Sequence, residues 1–271
     1  MKPLLTSHLL PIIESKLIEL LRSLTPADWE MQTIAPKWKV KHVAAHLLDT
    51  QLRKLSIVRD GYVAGPPPGE DLVAFINELN RQGVEMYSRL SPPVLIAMME
   101  IASRESAAFH HSLDPMAEAA FAVTWAGEKK SLNWFDTARE LTERWHHQQQ
   151  IRLATRRPGI ITRELYYPVL DTFMRALPFA YRDCAGEPGT HLRFTVSGDC
   201  GGTWYLYRDG DRWMQVDSPL GRQASDTTIP QEIAWRVFTK GIERQAAEAQ
   251  STVTSDRALG SHIFGMVAVV G

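Results

Sequence analysis

Residues 134–155 read WFDTARELTERWHHQQQIRLAT and contain neither glycine nor proline. Their apolar residues recur every three or four positions, which predicts one long helix. The apolar face of this helix carries Trp134, Ala138, Leu141 and Trp145. The opposite face carries Asp136, Glu140, Glu143, His147 and Gln150. Because polar helix faces usually contact water, we expect this second face to be solvated.

The chain before this segment reads as further helices. Apolar periodicity predicts a first helix over about residues 8–24 and a second over Lys39–Asp60. A third, interrupted helical arm comprises Asp71–Arg89 and Val94–Ser112. Gly65-Pro66-Pro67-Pro68-Gly69 separates the second helix from this arm and must be a loop, because prolines remove helical hydrogen bonds. Together with 134–155, these segments predict an antiparallel four-helix bundle.

The character of the sequence changes after Pro158-Gly159, where strand-like segments first occur. HLRFTVSG begins at His191, and GTWYLYRDGDRWMQV begins at Gly202. Asp209-Gly210 within the second segment is typical of a tight hairpin turn. Ile229–Lys240 and the region 260–269 are expected to be helices packed on this sheet, although the valine-rich second region also fits a strand.

These patterns predict an α+β protein of two domains. Residues 1–158 would form the antiparallel four-helix bundle, and residues 159–271 would form a smaller α+β domain. The boundary is placed where the helical pattern gives way to alternating, strand-like sequence.

Composition excludes several classes of function. The 30 basic residues are balanced by 31 acidic ones, so the chain lacks the positive field that attracts nucleic acids or anionic membranes. No apolar run approaches the roughly 20 residues needed to cross a bilayer. We therefore expect a cytoplasmic protein whose Cys184 and Cys200 are reduced thiols. Nucleophile elbows, phosphate-binding glycine loops and dinucleotide fingerprints are absent from the sequence.

Histidine and glutamate spacing points to a metal site. Glu143 and His147 are four residues apart, which places both side chains on one helical face. His46 lies at the edge of the apolar arc of the second helix and is the natural third ligand. Two imidazoles and one carboxylate suit zinc, nickel or ferrous iron and leave positions open for water or substrate.

Two alternatives remain open from spacing alone. His42 is four residues before His46, so it could replace His46 or join it in a two-histidine clamp. A solvated helix face also produces glutamate–histidine pairs at this spacing, with no metal involved.

Trp38, the segment HVAAHLLDTQLR from His42 and the segment ERWHHQQQIRLAT from Glu143 resemble the DinB-like superfamily, specifically its mycothiol-dependent maleylpyruvate isomerase group. DTTIPQEIAWRVFTKGI from Asp226 and the closing FGMVAVVG are similar to the carboxyl-terminal domain of that group, which is likened to sterol-carrier α+β folds. The resemblance implies that His46, Glu143 and His147 bind a divalent metal in a four-helix bundle.

The resemblance also implies a low-molecular-weight thiol, such as mycothiol, as co-substrate. Zinc would be the expected metal, with nickel or iron as alternatives, and the thiolate would isomerise a small electrophile or be transferred to it. A non-catalytic module that binds a small molecule, with a structural metal or none, is the alternative. Neither nucleic acid nor membrane is expected as a partner, and both a monomer and a homodimer fit.

Overall fold

The computed structural model describes residues 2–63 and 72–269. The loop predicted at 65–69 therefore lies outside the described residues. Within the described ranges, no helix is both long enough and apolar enough to span a bilayer.

Four long helices pack around one another in the first part of the chain. They are α1 (Leu10–Ser23), α3 (Val40–Lys54), α5 (Pro92–Ser112) and α6 (Asn133–Thr155). Helices α1 and α3 each contact both α5 and α6, which gives the predicted four-helix bundle. The short α2 (Pro26–Trp29) precedes α3, and α4 (Leu72–Tyr87) packs against α3. The predicted third arm is thus two helices, of which α5 is the bundle member.

The second bundle helix changes its winding before it ends. It is α-helical to Lys54 and continues as one π-helical turn over Leu55–Arg59. The chain then leaves the helix at Gly61, whose φ of +67° is a backbone conformation that favours glycine. The sequence prediction of a helix to Asp60 was therefore close in extent but missed the change of hydrogen bonding.

The remaining chain forms a five-stranded mixed sheet with helices. Its helices are α7 (Arg163–Met174), α8 (Leu177–Ala180), α9 (Gln231–Phe238), α10 (Arg244–Ala249) and α11 (Arg257–Ser261). Its strands are β1 (Thr190–Ser197), β2 (Gly202–Asp209), β3 (Arg212–Val216), β4 (Arg222–Pro230) and β5 (Thr252–Ser255). The strand order is β3-β2-β1-β4-β5, with β1 and β4 parallel and the other neighbours antiparallel. The predicted α+β class is confirmed.

The hairpin between β2 and β3 forms at the predicted turn, where Gly210 has a φ of +60°. The expected helix at Ile229–Lys240 is α9, but Ile229 and Pro230 belong to β4. The region 260–269 contains the end of α11 and a 3-10 turn over His262–Gly265, so the strand alternative is wrong.

Helix α6 joins the bundle to the sheet region through its apolar face. The Trp145 ring stacks on Tyr166 of α7, with centroids 4.3 Å apart, and meets Trp235 of α9 edge-on. The larger apolar core therefore includes residues on both sides of position 158. The polar face of α6 points instead into the bundle, where Asp136, Glu140, His147 and Gln150 are buried. The expectation that this face is solvated is wrong.

Candidate metal centre

Helices α3 and α6 bring three of the predicted ligands together inside the bundle. One ligand atom from each of His46, Glu143 and His147 lies within 4.8 Å of the other two. Glu143 Oε2 is 3.5 Å from His147 Nε2, as expected for side chains four residues apart on a helix. The three residues can therefore converge on one cation.

The indole of Trp38, just before α3, forms one wall of this group. Its ring centroid is 4.7 Å from that of His46 and 5.8 Å from that of His147. The two imidazoles are also in edge-on contact, with centroids 4.7 Å apart. Aromatic packing on both rings restricts their rotation and excludes water from that side.

A hydrogen bond fixes the orientation of the His147 ring. Its Nδ1 is 3.0 Å from the amide oxygen Oε1 of Gln150, which can only accept, so an N–H at Nδ1 donates this hydrogen bond. The other ring nitrogen, Nε2, faces Glu143 Oε2 at 3.5 Å. Metal-bound histidines are commonly held in this way by a partner at their other ring nitrogen.

His46 presents a second feature that fits a cation. Its Nδ1 is buried and has no hydrogen-bond partner in residues 2–63 and 72–269. A buried polar nitrogen without a partner is costly. The set of two imidazoles and one carboxylate also matches the donors that bind zinc, so these residues fit a divalent metal.

Burial keeps the His46 imidazole neutral. Desolvation, followed by the nearby charge of His147, lowers the pKa of His46 well below its usual value. For Glu143, burial alone would raise the pKa, but the hydrogen bond with His147 and the charge of His146 lower it to about 2. At neutral pH both groups are in the protonation states that bind cations.

His42 and His146 lie beside the group but have other roles. His42 Nδ1 accepts the backbone N–H of Lys39 at 3.2 Å and so helps to start α3. The His146 ring is 3.9 Å from that of His147, and its Nδ1 donates to the Thr142 carbonyl at 2.8 Å. The structure therefore brings His46, and not His42, to Glu143 and His147.

A buried ionic cluster, which sequence reasoning missed, adjoins the three residues. Lys54 Nζ lies 2.7 Å from Asp136 Oδ2 and 2.9 Å from Glu140 Oε1. Arg139 donates to the same two carboxylates. These paired charges explain why the polar face of α6 can be buried, since each carboxylate keeps a hydrogen-bonded cation.

A second buried pair extends this cluster across the bundle. Arg144 Nη1 donates to Glu14 Oε1 of α1 at 2.6 Å, and its Nη2 donates to Ser106 Oγ of α5 at 2.7 Å. Ser103 Oγ donates to the other Glu14 oxygen at 2.6 Å. The interior of the bundle is therefore partly polar. The only signal in the sequence was the run of charges on α6, which a solvated helix would also show.

Comparisons with known proteins identify the family and the fold of this chain. A family profile described as "Mycothiol maleylpyruvate isomerase N-terminal domain" matches residues 10–152, which is more than half of the chain. Two solved structures share the fold at low identity, and both are described as mycothiol-dependent maleylpyruvate isomerase.

One of these structures is a histidine-to-alanine variant. It has 11% identity, a TM-score of 0.54 and coverage of 92% of this chain and 91% of that chain. The other has 13% identity, a TM-score of 0.53 and coverage of 85% and 86%. No curated protein matches the sequence.

Proposed function

This chain belongs to the mycothiol maleylpyruvate isomerase N-terminal domain family, and on that premise we propose that it is a divalent-metal-dependent enzyme using a low-molecular-weight thiol. The observation that carries the proposal is the convergence of His46, Glu143 and His147 within 4.8 Å. These three residues would hold the metal and leave coordination positions open. Zinc suits the donors best, and nickel and ferrous iron also accept them.

The metal would supply the charge that the chemistry needs. A divalent cation at this place would stabilise the thiolate form of a bound thiol, which has an ordinary pKa of about 8.5 and is mostly protonated at neutral pH. The chain supplies orientation: Gln150 fixes the ring of His147, and Trp38 covers one side of both imidazoles. The nucleophile of the proposed reaction is this thiolate.

Isomerisation of a conjugated alkene is the reaction we favour. The thiolate sulfur forms a bond to an alkene carbon, and the π electron pair moves onto the conjugated carbonyl group. The former double bond is now single and rotates. The electron pair then returns, the carbon–sulfur bond breaks and the thiolate leaves unchanged, so no oxidant or reductant is needed. In S-transfer, the same thiolate would displace a leaving group and remain attached.

The cellular setting and assembly of the protein belong to the same proposal. Small thiols stay reduced in the cytoplasm, which is where we propose that the enzyme acts. Cys184 and Cys200 are free thiols, as that compartment requires. A monomer and a homodimer are both compatible with a centre built within one chain. The two-domain division at residue 158 likewise stays a prediction.

Metal content tests the proposal directly. The variants His46→Ala, Glu143→Ala and His147→Ala are purified after zinc loading and dialysis, and bound zinc is measured by mass spectrometry. The wild type should hold about one equivalent, and each variant should lose affinity by at least about 10-fold, because changing even a hydrogen-bond partner of a metal ligand typically costs about 10- to 100-fold. His42→Ala is the matched control and should keep its zinc.

Two further readouts make the result decisive. Zinc titration should change the fluorescence of the wild type but not that of Trp38→Phe, because this indole packs on both imidazoles. Addition of a thiol to the cobalt-loaded protein should produce a sulfur-to-cobalt charge-transfer band. Stoichiometric zinc in Glu143→Ala and His147→Ala would contradict the site, and loss of zinc in His42→Ala alone would favour His42 as the ligand.

A further inference from the structure

A surface cavity of about 340 Å³ lies at the ends of α1 and α6. Three of the residues that line it are arginines, namely Arg152 in the last turn of α6 and Arg156 and Arg157 directly after that helix. Five residues separate Arg152 from His147 and turn an α-helix by about 140°, so Arg152 lies on another face of α6 than the candidate metal centre. We propose that the three arginines form a site that binds a phosphate group.

Arg152 is a buried arginine without an acidic partner. It is only 8% exposed, and no carboxylate of residues 2–63 and 72–269 forms an ion pair with it. Its guanidinium donates instead to main-chain carbonyls, through Nη1 to that of Pro158 at 3.0 Å and through Nη2 to that of Lys16 at 3.1 Å. Its Nε has no hydrogen-bond partner. Since a buried charge without a counter-charge is costly, a bound anion would stabilise this arginine.

The one carboxylate at the cavity does not neutralise Arg152. Among the described residues that line the cavity, Glu19 is the only acid, and its carboxylate is 2.9 Å from the ammonium of Lys16. Burial lowers the pKa of Arg152 from its usual value, and the charge of Glu19 opposes this only in part. Arginine nevertheless keeps its proton in proteins, so the buried positive charge persists at neutral pH.

Arg156 ends α6 in a backbone conformation that favours glycine. Its φ is +54° and its ψ is +36°, and this left-handed position after a helix is usually occupied by glycine. The Arg156 side chain is exposed, lines the cavity, and makes no hydrogen bond or ion pair within the described part of the chain. An arginine that strains the backbone and stabilises nothing in the fold points to a ligand.

Arg157 is anchored by one edge of its guanidinium. Its Nη2 donates to Asp28 Oδ2 of α2 at 2.9 Å, and its backbone N–H donates to the Arg152 carbonyl at 3.0 Å. Its Nη1 has no partner in either described range and is not among the nitrogens sealed from solvent. The side chain is 35% exposed, so a ligand can reach this edge. The anchored guanidinium is fixed before the ligand arrives, which lowers the entropy lost on binding.

The charges around the cavity favour an anion with more than one negative charge. The cavity and the ion pairs at its edge comprise two acidic and four basic side chains, a local net charge of +2, although the whole chain carries −1. These side chains are those of Glu19, Asp28, Lys16, Arg152, Arg156 and Arg157. A phosphate ester carries about −1.5 to −2 at neutral pH, and its oxygens match the planar donors of arginine. A carboxylate carries only one negative charge.

The size of the cavity indicates that the phosphate is carried by a small molecule. A volume of about 340 Å³ equals that of about ten water molecules, at about 30 Å³ each. One phosphate group fills only part of this space, so an organic group attached to it also fits. The proposed ligand class is therefore a small phosphate ester. The site shares no residue with the candidate metal centre, so the inference does not rest on the proposed function.

Arginines at the end of a helix can also compensate the helix macrodipole, which places partial negative charge at the carboxyl ends of α1 and α6. That role needs neither the cavity nor the left-handed backbone at Arg156. It also predicts that phosphate leaves the stability of the protein unchanged. A phosphate site predicts the opposite, because a ligand that binds only the folded state stabilises it.

Calorimetric titration of the full chain with glycerol 3-phosphate, inorganic phosphate and acetate, at constant ionic strength, tests the site. Arg156→Gly and Arg157→Gln should each weaken binding of glycerol 3-phosphate by at least about 10-fold, the loss expected for one charge-assisted hydrogen bond. Arg156→Gly should unfold at the same urea concentration as the wild type or a higher one, because glycine adopts the left-handed conformation without strain. Arg212→Gln removes an exposed arginine at the start of β3 and should bind like the wild type.

The possible results either support the site or overturn it. Absence of binding heat, and of a rise in melting temperature, when glycerol 3-phosphate or inorganic phosphate is added to the wild type would refute it. Wild-type affinity in both Arg156→Gly and Arg157→Gln would refute it too, since phosphate would then bind elsewhere, for example at a metal. Acetate that binds as tightly as the phosphates would overturn phosphate as the ligand. Tighter binding of glycerol 3-phosphate than of inorganic phosphate would support the ester, and the reverse order would assign the site to free phosphate.

Discussion

Replacing Lys54 by methionine should strongly destabilise the protein, because it removes a buried cation from between two carboxylates. The ammonium lies 2.7 Å from Asp136 and 2.9 Å from Glu140. The three side chains are only 7%, 4% and 11% exposed, so water cannot replace the lost hydrogen bonds. Methionine has similar length and no charge, so the change isolates the electrostatic contribution.

The expected loss follows from the remaining contacts. Removing one partner of a buried ion pair typically costs about 3–5 kcal/mol, since the other charge stays buried and uncompensated. Arg139 still binds both carboxylates, and Arg144 is 3.7 Å from Glu140. We therefore expect Lys54→Met to lower the free energy of unfolding by about 3 kcal/mol, which is near the lower end of this range.

Urea denaturation at neutral pH measures this loss, with Lys16→Met as the control. Lys16 also contacts a carboxylate, that of Glu19, but both side chains are exposed, so the control should unfold like the wild type. If Lys54→Met lowered the free energy of unfolding by less than about 1 kcal/mol, it would refute the reasoning that the buried Asp136 and Glu140 carboxylates need the Lys54 ammonium to compensate their charge.

The pH dependence of the Lys54→Met effect gives a second check. Burial opposes ionisation of Glu140, but Lys54 and the neighbouring arginines hold its pKa well below the usual value. Its ionised form therefore contributes stability above the usual pKa of 4.5, and that stability is lost as pH falls below it. Without Lys54 this contribution shrinks, so the difference between wild type and variant should narrow below about pH 4.5. A constant difference from about pH 7 to pH 4 would contradict the assignment.

Two further changes probe the bundle interior. Burial lowers the pKa of His110 to about 3, whereas the pKa of a histidine in the unfolded chain is about 6.5. The neutral His110 side chain therefore makes its full contribution to the free energy of unfolding above about pH 6.5, and this contribution is lost as the pH falls toward 3. Between about pH 7.5 and pH 5.5, the free energy of unfolding of the wild type should therefore fall by about 1.4 kcal/mol more than that of His110→Gln, as measured by urea titrations. An equal fall in both proteins would contradict this prediction. Gly83→Ala would place a Cβ 2.1 Å from the Asp49 carboxyl carbon, so we expect this substitution to destabilise the protein by about 1–3 kcal/mol. The same substitution at an exposed helix position would stabilise it, because alanine favours the helix more than glycine does. The control is Gln82→Ala, which changes an exposed neighbouring residue and should leave the urea midpoint unchanged. If Gly83→Ala were more stable than the wild type, the Asp49 side chain would have to move away from the new Cβ at no cost, and the prediction would be wrong.

The elements that could be predicted from sequence are those with a strong local signal. Helix α6 is predicted by a long run, residues 134–155, without glycine or proline, and the β2–β3 hairpin is predicted by Asp209-Gly210. The pairing of Glu143 with His147 is also a matter of local spacing, because four residues on a helix always return to the same face. Each of these features depends on residues close together in the chain.

Elements with contrary local signals could not be predicted. Helix α7 contains Pro168, which reads as a helix breaker, yet the helix runs through it from Arg163 to Met174. Strand β4 is rich in serine and threonine but lies in the interior of the sheet between β1 and β5, where Ser225 and Thr227 are buried. In both cases long-range packing overrides local preference.

The polar interior of the bundle could not be predicted either, because it also depends on residues that are far apart in the chain. Nothing near Asp136 in sequence shows that its carboxylate will be neutralised, because Lys54 lies 82 residues away. Sequence spacing could not decide whether His42 or His46 lies beside Glu143 and His147, because this depends on the rotation of α3 about its own axis relative to α6. The structure brings His46 to Glu143 and His147, while His42 hydrogen-bonds the start of its own helix.

An anomalous-difference map from zinc-loaded crystals, collected on both sides of the zinc absorption edge, tests the central claim most directly. The account predicts one strong peak about 2.0–2.2 Å from a nitrogen of His46, a nitrogen of His147 and a carboxylate oxygen of Glu143. A peak bound to other residues, or no peak among these three side chains in crystals of protein shown to hold one equivalent of zinc, would contradict it.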